Sequence, residues 1–227
     1  MNIGLFGGTF DPIHSGHLAA ARAARERFQL DVVYFIPAGL PPHKNRHAPY
    51  EERFAMVSLA CAGEPRFVPS TAEAPAPGKP SYSILTVRRF RRELGAGAEL
   101  YFLIGADAFL TIRSWQQWRA LLNSANFVVI SRPGFDLARV ETVLPKPWKR
   151  RGTPRDRRGL EYRLGKTSVW VLSGVWEPIS ATDIRAVLAP AKNAASGPSA
   201  AAASSKLPAA VAEYLKKTGL YRAGRGL

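Results

Sequence analysis

Two rhythms of apolar residues alternate along this chain. Short, nearly continuous apolar runs occur at "NIGLF" (2–6), "DVVYFIPA" (31–38), "ELYFLIGAD" (99–107), "ANFVVISRPG" (125–134) and "TSVWVLSG" (167–174), each ending in glycine, proline or polar residues. Their β-branched and aromatic content predicts strands buried on both faces, and a shorter strand is expected near Arg66–Pro69. Between them lie stretches with helical spacing. These predict helices over 16–28, about Tyr50–Cys61, 81–94, Trp115–Leu122, Ser180–Leu188 and 207–221. In the helix at 81–94 the inner stripe is Ile84, Leu85, Val87, Phe90 and Leu94; the last helix has a proline near its first turn and Gly219 to end it.

Strand–helix alternation implies an α/β fold, a Rossmann-like doubly wound parallel sheet with helices on both faces, plus a C-terminal helix. Ligands of such sheets bind beyond the carboxyl ends of the strands. The exits at Gly7–His17, Pro37–Lys44, Gly105–Asp107 and Ser131–Arg132 are expected to meet there.

The 227 residues suit a single domain over 1–222, with a short tail at 223–227. A lone Cys61 allows no internal disulfide, no Cys/His cluster resembles a zinc site, and no apolar run is long enough to span a membrane. The N-terminus lacks the basic and long apolar regions of a signal peptide, so a cytoplasmic protein is expected. The net charge of +15 raises nucleic-acid binding as a reading. About half of that excess sits in residues 145–166, where nine basic residues face only Asp156 and Glu161. Pro, Gly and dense like charge predict a mobile, solvent-exposed basic loop there, and no aromatic ladder accompanies it. Nucleic acid is therefore not the expected partner. Residues 190–206, rich in Ala and Ser, read as a low-complexity linker.

Gly7 and Gly8 let the backbone turn tightly, and amides at the following helix start favour an anion. His14 and His17 can face the same way from that start and donate to phosphate oxygens. Such a pair is common on surfaces and decides nothing alone; the full stretch "GGTFDPIHSGHL" (7–18) is far more particular. In "ISATDIR" (179–185), Ser180 and Asp183 form a capping box and Arg185 offers a fork of donors to a polyphosphate. By itself that heptad is an ordinary capped helix with a surface arginine.

The first stretch resembles the signature of the nucleotidyltransferase superfamily, with an H-x-G-H core at His14 to His17. The second is similar to that superfamily's I-S-S-T-x-I-R motif. Within it the chain looks most like the bacterial nicotinate-nucleotide adenylyltransferase family, through "PPHK" (41–44), "PSYS" (80–83), "LIGADAFLTIRSWQQW" (103–118), "SRPG" (131–134) and "GLYR" (219–222). The resemblance thins at 135–166 and 190–206. Ser83 stands where the family often has Thr, and Leu85 where it commonly has a polar residue.

That resemblance implies attack by nicotinate mononucleotide on the α-phosphate of ATP, giving nicotinate adenine dinucleotide and pyrophosphate. Mg2+ would be the cofactor, held mainly through ATP rather than by direct protein ligands. His14, His17, His43, Lys44, Asp107 and Arg185 would be the catalytic set. Gly7, Gly8, Thr9, Phe10, Gly105, Arg132, Ile179, Ser180 and Thr182 would join them around ATP. Lys44, Tyr82, Ser83, Thr86, Trp115 and Arg132 would hold the mononucleotide, with Trp115 stacked on the pyridine ring. Without the resemblance, Trp115 reads as core packing and Asp107 as a helix cap. Homo-oligomers are compatible with it. The rival readings are a nicotinamide-mononucleotide or phosphopantetheine adenylyltransferase, or a basic nucleotide- or nucleic-acid-binding protein without catalysis. No acidic side chain lies in "PSYSIL", so a pyridine carboxylate is expected to be preferred over its amide.

Overall fold

The computed structural model describes residues 1–39, 47–76, 81–131, 135–152, 159–174, 180–188 and 205–222. Its sheet contains β1 (Asn2–Gly8), β2 (Val32–Pro37), β3 (Phe67–Pro69), β4 (Glu99–Gly105), β5 (Asn126–Ile130), β6 (Lys149–Arg151), β7 (Leu160–Arg163) and β8 (Ser168–Leu172). The spatial order is β3-β2-β1-β4-β5-β8-β7-β6, and all pairs from β3 to β8 are parallel.

The parallel strands β1, β2, β4, β5 and β8 are almost wholly apolar because both of their faces are covered. Ile3 and Leu5 of β1, Phe102 and Ile104 of β4, and Phe127 and Val129 of β5 join one core. There they meet residues of α3 (Ser83–Leu94), α5 (Trp118–Leu122) and α6 (Ala138–Val143). Phe6, Leu103, Val128 and Ile130 point the other way, into a core shared with α1 (Ser15–Phe28), α2 (Tyr50–Cys61) and α8 (Ala209–Thr218). Two short elements complete the path: α4 (Ala106–Phe109) leaves β4, and α7 (Ala181–Leu188) follows β8 in the chain. Gly219 ends α8 in the left-handed region, at φ 65°, as its position predicts.

Three expectations are corrected. The described parts of the basic segment 145–166, residues 145–152 and 159–166, are not a solvated loop. β6 and β7 form an antiparallel hairpin that extends the sheet beyond β8, so the sheet is not purely parallel. Leu160 and Tyr162 of β7 are buried against the core, with Glu161 and Arg163 on the alternate positions. That period of two lay beneath the charge. Second, Leu85 is about half exposed. The buried residues of α3 are Ile84, Thr86, Val87 and Phe90, and Thr86 takes the inward place because its hydroxyl has a buried partner. Third, the stretch Trp115–Leu122 is helical only from Trp118, with a 3-10 turn at Ile112–Ser114 before it. The linker at 190–206 lies outside the described residues up to 204.

Candidate active site

The strand order reverses between β1 and β4, which makes the space beyond Gly8 and Gly105 the switch point of the sheet. At the end of β1 the glycines leave little room: a Cβ on Gly7 would lie 3.2 Å from the Phe102 ring, which would have to give way. Phe10 follows in the left-handed region (φ 50°), its ring buried against Phe6, Phe35 and His17. Asp11–Pro12 is cis, and His14 is the N-cap of α1. The His14 backbone N–H donates to Nδ1 of His17 at 3.2 Å, and the two rings lie 3.8 Å apart. With Nδ1 accepting, the neutral His17 ring carries its proton on Nε2, where it can be donated.

Asp11 is the joint around which the rest assembles. Its Oδ1 accepts from the Tyr221 hydroxyl (2.5 Å) and the Ala48 amide (3.3 Å). Its carbonyl accepts from Nη1 of Arg185 at 2.5 Å, so the second motif is bound directly to the first. Nη2 of Arg185 reaches the Thr182 hydroxyl at 3.3 Å. At the start of α7 the Ser180 hydroxyl accepts from the Asp183 amide (3.1 Å), as a cap should, but donates its own proton to the Asp183 carboxylate (2.6 Å). Burial, then Asp11, raises the pKa of Tyr221, which keeps the phenol a donor. Beneath the turn lies Arg53, fully buried, bonded to the carbonyls of Thr9, Ala38, Gly39 and Ala48. Burial lowers its pKa, partly offset by Asp11.

Beside the exit of β2, Tyr82 is exposed and Ser83 begins α3. The Thr86 hydroxyl donates to the buried Glu73 carboxylate at 2.7 Å, which places it behind the first turn of α3 and not on its open side. The Glu73 carbonyl accepts from Ser81, and a Cβ on Gly39 would lie 2.1 Å from that carbonyl. Burial raises the Glu73 pKa, opposed by the Thr86 bond. Trp115 is half-buried, its Nε1–H on the Thr111 hydroxyl (3.2 Å) and its ring edge-on to Phe102. Since Phe102 also underlies Gly7, Trp115 borders the same switch point. Asp107 is exposed in the first turn of α4, just past Gly105.

Comparison with known proteins bears on this arrangement. Residues 5–187 match the family model described as cytidylyltransferase-like. The chain belongs to that family. A Moorella thermoacetica protein is 40% identical over 97% of this chain and 91% of its own length. One from Aeromonas salmonicida is 41% identical over 97% of both. Each carries the name "Probable nicotinate-nucleotide adenylyltransferase". Plasmodium falciparum nicotinic acid mononucleotide adenylyltransferase, solved in complex with APC, superposes with a TM-score of 0.69 over 97% of this chain and 96% of its own. At 16% identity that likeness speaks for the fold alone.

In this cytidylyltransferase-like chain, Gly7 and Gly8 end β1, Thr9, Phe10, His14 and His17 follow in its exit turn and the start of α1, with Phe10 and His14 buried, and Gly105 and Asp107 lie at the exit of the neighbouring β4. Arg185, with Ser180 and Thr182 on the same helix, is tied to that exit turn through Asp11. His43, Lys44, Arg132 and Ile179 lie outside the described residues. Arg53 and Glu73 belong to no motif of the sequence, and Tyr221 appears only within "GLYR" (219–222). Their one visible signal was a charged or hydroxylated residue inside an otherwise apolar or turn segment. Among the described residues no group of three or more His, Cys, Asp or Glu could hold a metal ion, and no helix is long and apolar enough to cross a membrane.

Proposed function

We propose that this chain transfers the adenylyl group of ATP to nicotinate mononucleotide, releasing pyrophosphate. The observation that carries the reading is the pairing of His14 and His17 at the start of α1, bound through Asp11 to Arg185. Two motifs distant in sequence thereby present donors to one anion. Relatives of the same family carry the corresponding name over nearly the whole chain.

The 5′-phosphate of the mononucleotide is already an anion, so its in-line attack on the α-phosphate needs no strong base. Rate enhancement comes from alignment and from donors placed where charge builds up. His17, through Nε2–H, and His14 serve the α-phosphate; Arg185 serves the leaving pyrophosphate. Lys44 and His43 complete the cationic set in this reading, and Arg132, Ile179, Ser180 and Thr182 line the ATP side. Trp115 stacks on the pyridine ring beside Tyr82 and Ser83. Mg2+, held mainly through ATP, would supply neutralisation of the leaving pyrophosphate. Asp107, an exposed carboxylate at the end of β4, is the described residue suited to hold that ion or the ribose hydroxyls.

The test is pyrophosphate release from ATP with a panel of acceptors: nicotinate mononucleotide, nicotinamide mononucleotide and phosphopantetheine. The acid is expected to exceed the amide by tenfold to about a hundredfold in kcat/KM, the equivalent of one mismatched buried contact. Equal efficiency on acid and amide, or turnover with phosphopantetheine alone, would overturn the reading. RNA binding that weakens with salt, without pyrophosphate release, would do so too.

A further inference from the structure

Arg53 is fully buried, yet its bonds run to backbone carbonyls instead of to a carboxylate. Nη1 holds the Thr9 carbonyl at 2.8 Å. Nη2 holds those of Ala38 at 2.8 Å and Gly39 at 3.4 Å, and Nε holds that of Ala48 at 2.9 Å. A buried cation whose hydrogen bonds all go to peptide dipoles is costly in desolvation, even with Asp11 partly offsetting it, and a hydrophobic residue could fill the same volume without that cost. What the guanidinium does that an apolar side chain cannot is fix the direction of those peptide groups.

The direction matters because a trans peptide points its carbonyl and its following N–H to opposite sides. The Thr9–Phe10 and Ala38–Gly39 bonds are not among the cis peptides of the chain. With the Thr9 carbonyl drawn inward, the Phe10 N–H is turned away from Arg53. With the Ala38 carbonyl drawn to the same guanidinium, the Gly39 N–H is likewise turned away from Arg53. Phe10 also sits in the left-handed region, which a bulky residue does not hold without support. Gly39 has no room for a side chain, since a Cβ would strike the Glu73 carbonyl. The Ala38 amide is itself bonded to the Gly8 carbonyl at 2.8 Å, which locks the two strand exits together.

We infer that Arg53 is a positioning residue for a phosphate cradle: it holds the Thr9, Ala38 and Gly39 carbonyls inward so that the Phe10 and Gly39 amides face the bound polyphosphate. This rests on the reading of the switch point as a triphosphate site. Lys at this position keeps the charge but lacks the planar fork and cannot reproduce the four bonds in their present directions.

The test compares Arg53→Lys and Arg53→Ala with the unaltered chain, using inorganic tripolyphosphate as the binding probe in calorimetry and pyrophosphate release as the kinetic one. Arg53→Lys is expected to stay folded, to bind tripolyphosphate about tenfold more weakly, and to show a similar rise in KM for ATP. Its KM for nicotinate mononucleotide should change by less than about threefold, a split that general loosening would not give. In Arg53→Ala, millimolar guanidinium should restore activity by about tenfold, while neutral urea of the same shape should not. The inference is overturned if Arg53→Lys binds tripolyphosphate as tightly as the unaltered chain, or if both KM values rise in step with a fall in melting temperature. If Arg53→Ala does not fold, Arg53→Lys decides. An unaltered chain that binds tripolyphosphate but releases no pyrophosphate would sink the proposed reaction and leave this inference to the binding data alone.

Discussion

Glu73 shows how one residue outside every motif shapes the site. Its carboxyl is buried, its oxygen takes the Thr86 hydroxyl, and its carbonyl takes Ser81, so the entry to α3 is pinned from behind. Burial raises its folded pKa above the ordinary carboxylate value. Below the unfolded pKa the group is protonated in both states. As pH rises the unfolded chain ionises first while the folded chain resists, so it binds more protons and its stability falls until the folded pKa is passed. Glu73→Gln keeps the Thr86 acceptor and removes that fall. The variant's melting temperature, relative to the parent, should therefore climb as the pH rises above about 4, the ordinary carboxylate value. A difference that stays flat or shrinks over that range would show that Glu73 is not a strained acid. The glycines and histidines of "GGTFDPIHSGHL" were legible because their roles are local. Glu73 and Arg53 were not, because their partners are scattered: Arg53 bonds to residues 9, 38, 39 and 48. Nothing in the neighbourhood of either residue announces those partners.

Among the elements, the β6–β7 hairpin is where charge concealed structure. β8 is as apolar as the central strands and would be an open edge without β7 beside it. Leu160 and Tyr162 face the core; the Tyr162 hydroxyl donates to Glu141 at 3.0 Å, and Trp148 packs edge-on against its ring. β6 then ends the sheet with Lys149, Arg150 and Arg151, all exposed. Three adjacent cations on a short edge strand discourage pairing with another chain, which gives this stretch a role with no nucleic acid in it. The strands of the parallel sheet were read correctly because burial on both faces makes them continuous apolar runs. β7 shows only two inward residues among charged ones. Tyr162→Ala should cost about 3 kcal/mol or more in stability, in the range for deleting a buried aromatic. Arg151→Ser should stay within about 0.5 kcal/mol. Urea denaturation of both variants checks this; equal effects would return the segment to a dispensable surface excursion.

At the scale of the whole molecule, the two ends of the chain meet at the site. β1 begins at Asn2, and its exit turn carries Asp11; Tyr221 comes from just beyond α8 and donates to that aspartate. The segment before α8 also reaches the site, since the Lys206 carbonyl accepts from the Ser15 amide at 2.8 Å, in the first turn of α1. Helix α8 is held in turn by α2: Val211 and Leu215 are buried, and the Tyr214 hydroxyl donates to Glu52 at 2.5 Å. The C-terminal helix is thus a brace across the motif that carries His14 and His17. Tyr221→Phe keeps the ring and deletes only the hydroxyl. A buried donor to a charged acceptor contributes about 1.5–3 kcal/mol, so a loss of that order is expected in denaturant unfolding. The loss should depend on Asp11. In a cycle with Asp11→Ala, which removes the acceptor, the two changes should couple by about 1 kcal/mol or more, because the same bond is broken in both. Additivity within about 0.3–0.5 kcal/mol would mean that the chain's end and the signature turn are independent, and that the brace does not exist.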